Sequence, residues 1–186
     1  VDIAVCAMTI NSSVMQFAML PLSGLVQGAQ PISSFNYGAG QGDRVTKTFK
    51  TLLKVCLTYS IIFWVILMAV PGLFAGIFTS DTALIAFSSK ALRIYGAMIC
   101  LIGIQMSCQH TFVAISYAKC AIIVACVRKF VLLIPLIYIV PLFSSDKTMG
   151  VYLAEPIADL LAITFTSILF AIAFKKAMEK LKSKAL

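Results

Sequence analysis

The chain has 186 residues, of which 61% are hydrophobic and only 12% are charged, and its mean hydropathy is +1.00. Soluble domains carry roughly 25% charged residues, so this composition excludes an ordinary water-soluble protein and predicts a membrane protein. The net charge of +8 does not indicate nucleic-acid binding, because the basic residues lie between apolar segments, as in membrane proteins. The six cysteines contain no CxxC pair and lie mostly in apolar runs, so we expect neither disulfides nor a metal site.

The first apolar segment, about residues 3–40, belongs to a run without charged side chains that extends to residue 42. A bilayer crossing needs about 20 apolar residues, so this segment is longer than one crossing requires. We predict one long helix kinked near Pro21, with its end projecting beyond the membrane on the side of Arg44. Two shorter spans folded back at Pro21 are the alternative. Gly24 and Gly28 would let another backbone approach this segment closely.

A polar stripe recurs along the same segment at spacings of three, four and seven residues, which places it on one face of a helix. Lipid tails offer no hydrogen bonds, so something other than lipid should contact that face. The stripe consists of Ser12, Gln16, Ser23, Gln27, Gln30 and Ser34.

Four further apolar segments follow, each long enough to cross a hydrocarbon core of about 30 Å at about 1.5 Å per residue. They cover about residues 50–78, 91–116, 118–143 and 149–175, and a basic tail follows over 176–186. The sequence therefore predicts an all-α fold, a polytopic bundle of about five transmembrane helices in a lipid bilayer.

The lysines and arginines indicate how these segments are oriented. Twelve of the fifteen lie in regions that would share one side of the membrane, so the positive-inside rule places the tail in the cytoplasm and the start of the chain outside. Arg128 and Lys129 lie about a third of the way into the fourth segment. They either lie on a helix extension below the membrane or face an interior cavity. The opposite side keeps Lys90, Arg93 and Lys147.

Two carboxylates in the fifth segment, Glu155 and Asp159, are four residues apart and therefore share one helix face. Pro156, between them in sequence, weakens the local helix. Counted from Met149, they lie about 9 Å and about 15 Å along the helix axis, which puts Asp159 near the middle of the membrane. A carboxylate at that depth costs roughly 3 kcal/mol unless it faces protein, water or a cation. We predict that Asp159 and Glu155 couple to Na⁺ or H⁺. The alternative is that Glu155 is solvated at the outer interface and Asp159 pairs with a neighbouring helix.

Catalytic constellations are missing from the sequence. His110 is the only histidine, and no nucleophile–base pair, metal motif or phosphate loop accompanies it. We therefore expect no enzyme, no metal and no cofactor. Gln105 and Gln109, four residues apart, either join helices by hydrogen bonds or line a cavity shared with the first segment. The predicted cavity-lining residues are Gln16, Gln27, Gln30, Ser34, Asn36, Gln105 and Gln109.

Four stretches, taken in order, resemble the MATE (multidrug and toxin extrusion) transporters. The most specific is GLVQGAQPISSFNYGAGQGDRVTKTFK (24–50), which is similar to the eighth of the family's twelve helices and the loop after it. FTSDTALIAFSSKALRIY, RKFVLLIPLIYIVPLF and GVYLAEPIADLL resemble the region entering the tenth helix, the eleventh helix and the start of the twelfth. The resemblance is nearest to the bacterial MepA-like branch, and it implies that the five segments form most of the C-terminal lobe.

The resemblance implies a multi-pass transporter of the inner (cytoplasmic) membrane. It would export amphipathic, often cationic, drugs or metabolites in exchange for Na⁺ or H⁺ by alternating access. It also implies a missing N-terminal lobe as partner. Because the sequence starts at Val1 without methionine, we expect a fragment that is inactive alone. The alternatives are a lipid or polysaccharide flippase, whose cavity should be lined with arginines, and an inactive truncated remnant.

One stretch departs from the family pattern. Where this branch usually reads FQAxGKA at the end of the tenth helix, the chain has FVAISYAK (112–119). The polar and glycine positions become Val113 and Ser116, which puts close packing there in question.

Overall fold

The computed structural model describes residues 2–143 and 147–184, and it builds these ranges from helices and short turns, without a β-strand. The predicted all-α fold is confirmed. The helices are α1 (Asp2–Gly38), α2 (Gly42–Ala69), α3 (Pro71–Gly76), α4 (Thr82–Tyr95), α5 (Ile99–Ala114), α6 (Ala118–Cys126), a π-helical segment (Val127–Leu133), α7 (Ile134–Phe143) and α8 (Lys147–Lys184).

Helix α1 runs through both Pro21 and Pro31 as one element, so the alternative of two spans folded back at Pro21 is wrong. The kink near Pro21 stays a prediction. One face of α1 is buried through residues such as Val14, Leu22 and Val26, which pack in the main core. The apolar packing along this face holds the helix in the bundle despite the two hydrogen bonds that the prolines cannot donate.

Four continuous helical stretches are long and apolar enough to cross a membrane, and α4 with α5 is long and apolar enough for a fifth when the bent pair is taken as one span. The predicted bundle of about five transmembrane helices is confirmed. The fourth span, Ala118–Phe143, combines α6, the π-helical segment and α7, and its bounds are those expected from the apolar run.

The second span begins and ends earlier than predicted. Helix α2 starts at Gly42 rather than near residue 50, because Arg44 and the lysines after it lie on helical turns and not in a loop. It ends at Ala69, and Pro71 begins the separate short helix α3. Proline suits a first helical position but cannot continue a helix, which explains the break before residue 78.

The third segment, predicted as one helix over 91–116, is instead two helices that meet at 50°. Asp81 starts α4 by accepting hydrogen bonds from the backbone N–H groups of Ala83 and Leu84 at 2.9 and 3.5 Å, a helix cap. Gly96 lies at the bend, where a Cβ atom would come within 2.6 Å of the Leu67 side chain. The missing side chain permits this bend to pack directly against α2.

The fifth helix is longer than predicted, since α8 continues as helix to Lys184 through most of the basic tail. Ala177 and Leu181 are buried in this extension, so an apolar face holds it against the bundle. Residues 185 and 186 of the predicted tail lie outside the described residues, as do the side chains of Lys147, Lys182 and Lys184.

The tightest helix contact joins α2 and α5. A Cβ atom at Gly103 would lie 2.7 Å from the carbonyl carbon and oxygen of Cys56, so only glycine lets these two backbones come this close. In contrast, a Cβ atom at Gly24 or Gly28 would meet nothing within 4 Å. The predicted close approach at these two glycines is therefore absent from the described residues.

One end of the bundle collects three connected regions. Val45 of α2, Ile115 after α5 and Ala177 of α8 form one buried apolar cluster, and the Met178 sulfur lies 3.5 Å from the Cβ position of Gly42. The α1–α2 turn, the α5–α6 turn and the basic end of α8 therefore lie together. The charge distribution placed these three regions on one side, but Arg128 and Lys129, which it counted with them, lie in the middle part of the fourth span.

Candidate functional site

Arg128 faces the interior of the bundle. It is the second residue of the π-helical segment, in the middle part of the fourth span, and it forms ion pairs with α8. Of the two alternatives for Arg128, the interior cavity is correct. Single π-helical turns occur frequently at functional sites, because the extra residue in the turn changes the direction of a side chain. Lys129, by contrast, is exposed.

The guanidinium of Arg128 binds the two carboxylates unequally. Its Nε donates to Asp159 Oδ1 at 2.8 Å, and its Nη2 lies 2.8 Å from the same oxygen. Glu155 Oε1 lies 3.9 Å from Nη2, beyond hydrogen-bond distance. The charged side chains that line the site are one cation and two carboxylates, so their formal charge is −1 when both carboxylates are ionised. The exposed Lys129 acts electrostatically on both carboxylates from outside this lining. Oδ1 of Asp159 is therefore held by two arginine nitrogens, whereas Glu155 keeps room for another partner.

A cavity of about 390 Å³ lies beside these charges, between α1, α4, α5, the π-helical segment and α8. Arg128, Glu155 and Asp159 line it together with the amides Gln16, Gln105 and Gln109. The sequence offered an interior cavity as one of two positions for Arg128, but it did not indicate contact with the carboxylates, which lie about 30 residues away in sequence. Its position inside an apolar run was the one available signal. The apolar wall includes three methionines, Met15, Met19 and Met106.

Gln105 adds a second feature to this cavity. Its side chain lines the cavity and is only 2% exposed, and its Oε1 has no hydrogen-bond partner among the described residues. A buried amide oxygen without a partner costs roughly 1–3 kcal/mol, and such a group invites a donor or a cation from outside the chain. The site therefore combines the Glu155 carboxylate, which lies beyond hydrogen-bond distance of Arg128, with the Gln105 amide oxygen, which has no donor among the described residues.

The other predicted lining residues lie elsewhere. Gln27 and Ser34 are exposed and Gln30 is half-buried, further along α1 on the face that carries the polar stripe. Asn36 is 9% exposed, and its Nδ2 donates to the Ile32 carbonyl at 2.7 Å. None of these four lines the carboxylate cavity, because α1 carries them past it toward the α1–α2 turn.

Ser116 shows why a glycine is usual at its position. The residue follows α5 and has φ +65°, in the left-handed region that glycine adopts without strain. The Tyr117 N–H donates to the Phe112 carbonyl at 2.8 Å, a bond of the type that closes a helix end. Ser116 is exposed, so the constraint there is the backbone conformation and not close packing.

The sequence model of the MatE family matches residues 2–139. The chain belongs to the MatE family. Its fold matches a structure described as the MATE multidrug transporter DinF-BH in complex with a ligand, at 34% identity and TM-score 0.78, over 85% of this chain and 35% of that one. An outward-facing MATE transporter of the MOP superfamily matches at TM-score 0.86 and 15% identity, over 94% of this chain and 39% of that one.

An inward-facing MATE transporter of the same superfamily matches at TM-score 0.84 and 17% identity, over 98% of this chain and 41% of that one. This part of the MatE fold is therefore similar in both conformations. The chain spans about 35–41% of the length of these solved relatives. No curated protein matched the sequence.

These matches confirm the MATE resemblance and the membrane-spanning helical fold. The matched structures are described as transporters, in agreement with the expectation that the chain is no enzyme. Assignment to the MepA-like branch and to helices eight to twelve of the family stays a prediction.

Proposed function

We propose that the chain forms most of the C-terminal lobe of a secondary active exporter in the inner membrane. The whole transporter, completed by an N-terminal lobe, exchanges amphipathic organic cations for Na⁺ or H⁺ by alternating access. The lysine-rich end of the bundle faces the cytoplasm, as the positive-inside rule requires. The similar fold of this region in outward- and inward-facing relatives supports movement of the lobe as one body.

The observation that carries this proposal is the cavity with one more carboxylate than cation. Glu155 lines it at 3.9 Å from the nearest arginine nitrogen, and the Gln105 amide oxygen has no donor among the described residues. A bound Na⁺ could be coordinated by these oxygens, and a proton could reside on Glu155. A cationic substrate would compete for the same carboxylate, and this competition is the physical basis of exchange.

The roles of the two carboxylates differ in this proposal. Asp159 holds Arg128 through two contacts of 2.8 Å, so it serves as a positioning residue that fixes the guanidinium in the cavity wall. Glu155 is the exchangeable site. The methionine wall fits varied apolar groups, because thioether side chains adapt their shape to the partner.

The flippase alternative depends on an arginine-lined cavity for an anionic lipid carrier. Arg128 does line the cavity, but Asp159 neutralises it, and the formal charge of the cluster is negative. An anionic head group would be repelled by Glu155. The geometry therefore favours a cationic substrate over an anionic one.

Efflux of the permeant dye cation ethidium tests the proposal in cells that express the protein with the coding sequence flanking these 186 residues. Glu155→Gln should lower the efflux rate at least tenfold at equal membrane expression, and Asp159→Asn should lower it as well. Glu179→Gln is the matched control, because Glu179 is an exposed carboxylate of the same helix, α8. Efflux by Glu155→Gln equal to that of Glu179→Gln would overturn the proposed coupling role.

A further inference from the structure

A second groove lies between α1 and α2, away from the carboxylate cavity, with a volume of about 610 Å³. On α1 it is lined at helical spacing by Leu25, Ala29, Ile32 and Asn36, and on α2 by a facing row that includes Arg44, Lys47 and Val55. The two helices are antiparallel and joined by a short turn, so Arg44 and Lys47 lie at the turn end and Leu25 with Val55 at the other end.

The groove is therefore basic at one end and apolar along the rest. Ile32 is 54% exposed and Val55 is 43% exposed, so its walls present uncovered apolar surface. Arg44 and Lys47 are exposed, and within the described ranges 2–143 and 147–184 neither forms an ion pair. Lys50 and Lys54 continue the basic surface beside Lys47, and among the described residues Asp43 is the one carboxylate that lines this neighbouring surface.

The length of the groove matches one leaflet of a bilayer. Eleven residues separate Leu25 from Asn36 and Arg44 from Val55, which corresponds to about 16 Å of helix. Half of a hydrocarbon core is about 15 Å thick. The basic end adjoins the α1–α2 turn, at the end of the bundle where the basic part of α8 also lies, and this end is where a membrane interface would fall.

We propose that this groove binds one anionic glycerophospholipid, with its phosphate head group at Arg44 and Lys47 and an acyl chain along Ala29 and Ile32. The occupant follows from charge complementarity and from the order of polar and apolar surface along the groove. Basic residues just outside the hydrocarbon region attract anionic lipid head groups. An apolar protein segment would fill the same volume, but it would offer no charge to the two exposed cations at the basic end.

Native mass spectrometry of the purified protein, expressed with its flanking coding sequence, tests this site. The probe is phosphatidylglycerol, compared with phosphatidylcholine of the same acyl chains. The wild type should keep one tightly bound phosphatidylglycerol and bind phosphatidylcholine far more weakly. The double variant Arg44→Gln/Lys47→Gln should bind phosphatidylglycerol about 30-fold more weakly, as expected from losing two interfacial charges.

Two further variants separate the groove from general surface charge. Lys175→Gln/Lys176→Gln removes the same charge from the exposed surface of α8 and should retain the lipid. Ala29→Phe fills the apolar part without touching the basic end, and it should also lose the tight lipid. Three results would overturn the site: equal loss in the two double variants, equal affinity for phosphatidylcholine, or full lipid retention by Ala29→Phe. The last would indicate surface adsorption or a groove that a protein segment covers.

Discussion

The ion pair between Arg128 and Asp159 should govern the stability of the bundle, and Arg128→Gln tests this. The substitution removes the cation that contacts the two carboxylates, and only the exposed Lys129 still opposes their charge. Removing one partner of a buried pair costs about 3–5 kcal/mol. Here the exposed fractions of the two side chains are 23% and 12%, so we expect the lower end, about 3 kcal/mol. For a chain of this length that corresponds to a fall in Tm of about 6–12 °C.

Thermal denaturation in detergent, followed by fluorescence-detected gel filtration, measures this change. The double variant Arg128→Gln/Asp159→Asn restores the formal charge of the cluster to −1, so it should recover most of the lost Tm. Lys129→Gln is the comparison, since it makes the same change in net charge at an exposed neighbour that acts on the carboxylates without forming an ion pair among the described residues. The reasoning fails if the Tm of Arg128→Gln lies within 2 °C of that of Lys129→Gln, a difference that corresponds to roughly 1 kcal/mol or less. It also fails if the Tm of the double variant Arg128→Gln/Asp159→Asn is no higher than that of Arg128→Gln.

Three more outcomes are expected. Ser116→Gly should raise stability by about 1 kcal/mol because it removes left-handed strain, whereas Ser116→Ala should not, and a Tm comparison decides between them. Gly103→Ala should sharply reduce the yield of monodisperse protein, because its Cβ would meet the Cys56 backbone at 2.7 Å. Gly24→Ala is the control, since a Cβ there meets nothing within 4 Å, and equal yields of the two variants would contradict the close contact. The 186 residues expressed alone should give no ethidium efflux, since they span about two fifths of the solved transporters, and efflux by this chain alone would contradict the two-lobe proposal.

The membrane helices themselves were predictable because apolar length is a local property. The run through residues 3–42 predicted α1, and the run over 118–143 predicted the fourth span with its bounds. The bend at Gly96 was not predicted, since hydropathy averages across it and the close packing of Gly96 against Leu67 of α2 is a contact between distant segments. Pro71 could have indicated the early end of α2, because proline marks helix starts.

The candidate site was predictable only in part, because it depends on contacts between distant segments. Helical spacing placed Glu155 and Asp159 on one face and indicated the amides of α5. It did not reveal that Arg128 approaches Asp159 more closely than Glu155, and this difference decides which carboxylate is available. Gln27 and Gln30 belong to the same polar stripe as Gln16, yet of these three amides Gln16 alone lines the cavity. The stripe runs along the whole of α1, and the cavity meets only one part of that helix face.

Exchange by alternating access requires the carboxylate cavity to open to water, and cysteine labelling measures this directly. Gln16→Cys, in a background with the exposed Cys6 and Cys126 replaced by serine, should react with a membrane-impermeant maleimide, and a cationic substrate should slow the reaction. Ile172→Cys is the comparison, since Ile172 is 66% exposed on α8 but should face lipid. If Gln16→Cys proves as unreactive as Ile172→Cys in every condition, the cavity is sealed and the exporter proposal loses its physical basis.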